Sequence, residues 1–190
     1  MTHDARQYRG WAELTPSTLV TAGSVGTWTL TYHVGEYGID DGGTLKIAWR
    51  FASDWGKPQS EDPTAPNYYT VTHSGAGRVT HRWDPKGYIR PWQKCVVIDV
   101  AEWALAKGDT ITVTYGDTSG GSIGTVAQTF REHTFEFKVV VDAFGTGQFV
   151  EIDSQPEIEI LPDTAARLVL LAPTGVVRGE DFALGVKFED

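Results

Sequence analysis

Polar and apolar residues alternate through Thr27-Trp28-Thr29-Leu30-Thr31-Tyr32-His33-Val34, and a second alternating run is Leu45-Lys46-Ile47-Ala48-Trp49-Arg50-Phe51. Neighbouring side chains of a strand point to opposite faces, so Trp28, Leu30, Tyr32 and Val34 are expected to line one side of one strand. Leu45, Ile47, Trp49 and Phe51 should line one side of the next. The turn between the two runs is built on Asp40-Asp41-Gly42-Gly43. The following segment, residues 52–66, breaks the pattern with three prolines and no periodicity. Structureless connections of that length are uncommon in compact domains and tend to carry function.

Further strands are predicted at residues 19–22, 68–72, 78–81, 94–100, 110–115 and 135–141, separated by turn residues at short intervals. Residues 74–77, Ser-Gly-Ala-Gly, join the 68–72 and 78–81 strands as a flexible turn. Residues 1–16 read as an irregular arm pinned by Tyr8 and Trp11. Residues 83–92 contain two prolines and are excluded from a central strand. The one helical candidate is residues 99–107, with Asp99 as cap, Gly108 as stop and Trp103 packing inward. Strands at this spacing predict an all-β protein, a two-sheet antiparallel sandwich of Ig-like type with at most one short helix. Residues 1–162 are assigned to that sandwich. Residues 163–190 are assigned to a linker and the opening strands of a second Ig-like domain, or else to extra strands of the first, because two strands alone are marginal in water.

Composition sharpens this picture. The chain of 190 residues suffices for one well-buried domain, and its 21 glycines exceed the usual share and suit a turn-rich fold. A net charge of −9 opposes nucleic acid and anionic membranes as partners, since the protein's own field repels phosphate. The lone Cys95 has no disulfide partner within the chain and sits among Val96, Val97 and Ile98, which places it in the core rather than at a reactive site. Residues 1–10 carry no apolar leader and no run is long enough to span a membrane, which leaves a soluble, cytoplasmic protein as the default expectation.

Candidate chemistry is sparse. Gly120-Gly121-Ser122-Ile123-Gly124 matches the nucleophile elbow of hydrolases, but that motif needs a helix downstream and residues 125–130 read as strand. A glycine-rich binding loop is the better reading of residues 116–124. The five histidines are scattered without ligand-type spacing, and neither a metal nor a cofactor is expected, although acidic loops offer oxygen ligands of the kind calcium takes. Trp55, Trp83 and Trp92 lie in irregular segments beside Asp54, Lys57, Asp84 and Arg90, with Gln59 in the same run as Trp55. Flat aromatic faces next to hydrogen-bonding groups suit a carbohydrate or other small polar ligand, and Asp117 and Ser119 of the glycine-rich loop extend that candidate set. The plainer alternative is that these tryptophans fasten two loops onto the sandwich. A rival function is a small enzyme or subunit whose site is built from loops 52–66, 83–92 and 116–124, with Asp54, Arg90 and Asp117 as participants.

The runs Gly35-Glu36-Tyr37-Gly38-Ile39-Asp40-Asp41-Gly42-Gly43 and Asp54-Trp55-Gly56-Lys57-Pro58-Gln59, with Asp62-Pro63, Asn67-Tyr68 and Gly108-Asp109 before the 116–124 loop, resemble the N-terminal β-rich region of a bacterial family known as domain of unknown function 3604. Longer members carry a downstream metal-dependent phosphoesterase-like part, and residues 167–189 resemble the start of the Ig-like segment that follows. The resemblance implies a non-catalytic accessory or binding module whose partner is a downstream or separate catalytic domain. The family's histidine and aspartate clusters have no counterpart here, so its metal chemistry transfers to no residue of this chain.

Overall fold

The computed structural model describes residues 5–189, with side chains from residue 7 onward. The elements are α1 (Ala5–Arg9), β1 (Trp11–Thr15), β2 (Val20–Thr21), β3 (Val25–Gly26), β4 (Trp28–His33), β5 (Thr44–Trp49), β6 (Tyr69–His73), β7 (Arg78–Asp84) and β8 (Lys94–Ala101). They continue as β9 (Thr110–Tyr115), β10 (Thr125–Val126), β11 (Glu132–Glu136), β12 (Lys138–Asp142), β13 (Val150–Glu151), β14 (Glu157–Leu161), β15 (Arg167–Leu171) and β16 (Gly185–Glu189). The protein is all-β apart from α1.

Two antiparallel sheets carry the fold, one in the order β1-β4-β9-β6 and the other β13-β12-β5-β8-β7. Leu30, Tyr32, Ile111 and Val113 from the first and Leu45, Ile47, Trp49 and Ile98 from the second belong to one continuous buried cluster, so the sheets pack face to face as a sandwich. Each of these aliphatic side chains stabilises the fold by about 1.5–3 kcal/mol through burial. The alternation read at Trp28, Leu30, Tyr32 and Val34 is met, all four being buried. On β5 it stops early: Phe51 lies beyond the strand, 47% exposed, beneath the Arg90 guanidinium.

The five-stranded sheet is buried on both faces. A second cluster of Ala48, Cys95 and Val97 lies on its outer side, covered by Tyr88 and Trp92. Segment 85–92 therefore folds back over the sheet, which is why it carries prolines and aromatics but no strand pattern. A third sheet, β11-β14-β2, closes one side of the core with Phe135, Ile158, Ile160 and Val20. Strands β11 and β12 are one run broken at Phe137, whose N–H donates to Pro156 O, so the chain passes from one sheet to another there.

Two expectations need correction. Among the described residues of the N-terminal segment there is order: α1, then β1 paired along its length with β4 (Trp11↔His33 to Thr15↔Thr29); residues 1–4 lie outside the described residues. Residues 99–107 form no helix, because β8 continues to Ala101 in register with β7 (Thr80↔Asp99, Arg78↔Ala101), and strand pairing overrides the local cap signal. Asp99 accepts a hydrogen bond from Thr44 and pairs with Arg82 instead of capping, and Trp103 is 68% exposed rather than packed. The strands read on either side of residues 74–77 are present as β6 and β7, and they enter different sheets.

Strands β15 and β16 pair only with each other. The register places Leu168 opposite Phe188 and Leu170 opposite Val186, all more than half exposed, while Arg167, Lys187 and Glu189 form ion pairs on the other face. No helix among the described residues is long and apolar enough to cross a membrane.

Candidate functional site

Strand β6 is the edge of the four-stranded sheet and β7 the edge of the five-stranded one, so their short connection brings two edges together along one side of the sandwich. An unpaired strand edge exposes backbone donors and acceptors and is ordinarily shielded. Here loop 52–66 supplies the shield. Gln59 forms a parallel bridge with Tyr68, its N–H donating to Asn67 O at 3.1 Å and its carbonyl accepting from Tyr69 N–H at 2.9 Å. The Gln59 side chain then fixes the loop internally: Oε1 accepts from Glu61 N–H and Asp62 N–H, and Nε2 donates to Asp62 O.

Between this loop and β7 lies a cleft of about 440 Å³. Lys57, Gln59, Ser60 and Glu61 form one wall, and Tyr69, His81, Arg82 and Trp83 the other. His81 Nδ1 is 3.1 Å from the Tyr69 hydroxyl, with the rings edge-on at 5.2 Å. Burial lowers the His81 pKa below the ordinary histidine value. Burial likewise raises the Tyr69 phenol, with a bond from Ser60 acting the other way. Both shifts favour the neutral form, so an uncharged imidazole and an uncharged phenol share one hydrogen bond. Trp83 packs on Trp49 at 5.0 Å, its ring half-buried and its indole nitrogen turned inward without an acceptor. The resulting surface is the edge of a partly buried indole amid neutral and charged hydrogen-bonding groups.

The candidate residues fall in several places. Lys57, Gln59 and Trp83 share the cleft. Trp55 is 3% exposed and packs against Trp28, Phe135 and Phe137, so it is a core residue and offers no face to a ligand. Asp54 beside it is spent on Thr129, accepting from both its N–H and its hydroxyl. Trp92 sits on the outer face of the five-stranded sheet, with Arg50 at 5.2 Å and Lys138 at 4.9 Å from its ring. Arg90 lies over Phe51 and reaches Gln93.

Asp117 accepts from Thr70 Oγ1 at 2.7 Å and from Ser119 N–H at 2.9 Å, bonds that hold its carboxyl below the usual range. The 116–124 loop meets the 52–66 loop at Pro63, whose carbonyl accepts from Ser122 N–H, and at Asn67, whose N–H donates to Gly124 O. Ser122 is buried and followed by the short strand β10, so the elbow geometry is absent. None of Asp54, Arg90 and Asp117 shares a hydrogen bond or ion pair with another of the three. No group of three or more His, Cys, Asp or Glu among the described residues is placed to hold a metal ion.

Tyr69, His81 and Arg82 were not singled out from sequence. Their chemistry arises where two sheet edges meet, and no local spacing marks that meeting.

No family model matches the chain. Two uncharacterized proteins, from Chlamydia trachomatis and Chlamydia muridarum, are each 25% identical to it over 186 residues, covering 93% of this chain and 29% of their own. Among solved structures, a cohesin module from a Clostridium perfringens family 33 glycoside hydrolase aligns over 80% of this chain and 96% of its own, at 11% identity and a TM-score of 0.43. AvmM, which catalyzes macrocyclization in alchivemycin A biosynthesis, aligns over 84% and 97% at 13% identity and a TM-score of 0.35. The chain spans less than a third of the length of the curated relatives it matches.

Proposed function

We propose that this β-sandwich is a non-catalytic binding module, and that the cleft between β6 and β7 takes a small polar ligand of carbohydrate type. The observation that carries this reading is the convergence of Lys57, Ser60, Glu61 and His81 around the partly buried ring of Trp83 in one cleft of about 440 Å³. Pockets of this size with an aromatic wall and several convergent polar groups fit one or two sugar rings, whose apolar faces stack on the indole while hydroxyls meet the rim. In the same proposal the module belongs to a longer protein. The uncovered apolar face of the β15–β16 hairpin supports residues 163–190 as the opening of a second, Ig-like domain, and the resemblance noted above suggests a metallohydrolase-like part as its catalytic companion.

The test is a titration with maltotriose, cellotriose and chitotriose followed by calorimetry. At least one should bind, and Lys57→Ala and Glu61→Gln should each weaken it by about tenfold, the loss of a well-placed polar contact, while the thermal midpoint stays near that of the wild type. Unchanged affinity in both variants, with loss in Asp117→Ala, would move the site to the 116–124 loop.

A further inference from the structure

A second cavity, of about 300 Å³, shares no lining residue with the cleft and is walled by three separate segments: the end of α1, the turn at residues 37–38 and residues 141–150 around the end of β12. Backbone hydrogen bonds tie these segments together. Tyr37 N–H donates to Tyr8 O at 3.1 Å, Glu36 N–H to Gln7 O at 2.8 Å and Asp40 N–H to Ala143 O at 2.8 Å. At Gly38 the backbone is left-handed (φ 67°), and a Cβ there would come within 2.7 Å of Leu105 O. Only glycine fits, and the turn it allows carries Tyr37 outward, 50% exposed. Phe144, 55% exposed, stands across from it with ring centroids 5.8 Å apart. Two aromatic rings held in the open by a fastened backbone are not needed by the core.

The polar groups of the cavity divide cleanly. Asp142 is buried and committed: its carboxylate accepts from Phe144 N–H, from Thr146 N–H and hydroxyl, and from Gly147 N–H. The Arg9 guanidinium and the Gln148 side-chain amide, by contrast, have no hydrogen bond or ion pair among the described residues. An apolar floor, a pair of rings and one uncommitted guanidinium make a site for a planar ring bearing an acidic group. Arginine meets a carboxylate with two parallel N–H donors, and a third ring packs well against the open side of a tilted pair. The fixed negative charge of Asp142 directs that carboxylate to the Arg9 side.

We propose that this cavity binds a small aromatic carboxylate, its ring packed against the Tyr37–Phe144 pair and its carboxylate on Arg9. The volume lies at the low end for ligand sites and fits one ring with a short side chain. The site does not depend on the cleft reading, and either can fail alone.

The experiment is backbone amide mapping by NMR on the full chain, titrated with hydrocinnamate and, separately, with its neutral amide. Hydrocinnamate should shift the amides of Arg9, Tyr37, Phe144 and Gln148 and bind at least about tenfold tighter than the neutral amide, as expected for a charge-assisted pair. Arg9→Gln should erase that difference, and Phe144→Ser should weaken both compounds, with spectra of both variants otherwise retaining the native dispersion. Absence of shifts at these four residues, equal affinity of the two compounds for the wild type, or an unchanged preference in Arg9→Gln would each overturn the proposal.

Discussion

At the scale of single residues, burial decides what each aromatic and titratable group can do. Of the two readings of Trp55, ligand face or fastener of its loop, the second holds: its ring lies in the aromatic cluster of Trp28, Phe135 and Phe137. Trp55→Ala should therefore cost about 3–5 kcal/mol of unfolding free energy, measured by urea denaturation, because a ring of that size leaves a cavity the surrounding sheets cannot close. A cost under about 1 kcal/mol would return Trp55 to the class of exposed ligand contacts. Cys95 shows the same logic from the other side. Its thiol is fully buried and its pKa is pushed up to about 12, which removes the thiolate and with it nucleophilic reactivity at neutral pH.

At the scale of elements, loops that looked formless are fixed by side chains acting on backbone. Gln59 holds the first loop, Asp117 the glycine-rich one, and Asp142 the turn after β12. For Asp142, burial works to raise the carboxyl pKa, but the bonds from Thr146, Gly147 and Phe144 outweigh it and the net shift is downward. A carboxyl whose folded pKa lies below its unfolded one stabilises the protein fully above the unfolded value, near 4, and loses that contribution as pH falls through the folded value. Asp142→Asn should thus be less stable than wild type by about 1–3 kcal/mol at pH 7, the worth of hydrogen bonds to a buried charge, and the gap should close in acid. Equal stability at neutral pH, or a gap that widens on acidification, would contradict this assignment in a pH series of denaturant melts.

Strand positions such as Trp28 to Val34 were legible because a period of two is local. The absence of a helix after β8 was not, since the cap signal at Asp99 carries no information about the pairing of that residue with β7. The cleft was half legible for the same reason: Lys57, Gln59 and Trp83 stand in conspicuous segments, whereas Tyr69 and His81 meet only because two sheets end side by side.

At the scale of the whole molecule, the main core cluster joins both large sheets, and the β15–β16 hairpin pairs with neither, its Leu168, Leu170, Val186 and Phe188 uncovered. A shortened chain lacking residues 163–190 should melt cooperatively within about 3 °C of the full chain, since the sandwich loses few contacts that a domain of this size would register. Broad melting, or a midpoint lowered well beyond that, would make the hairpin part of the sandwich. The central claim, that a rigid sandwich presents its function at the meeting of two strand edges, is tested most directly by mapping amide resonances during a titration with the sugar that binds best. The account predicts shifts concentrated at residues 57–61 and 81–83, with the His81 and Trp83 side chains among them. Binding that leaves those residues unmoved and shifts residues 117–122 or 90–92 instead would contradict it.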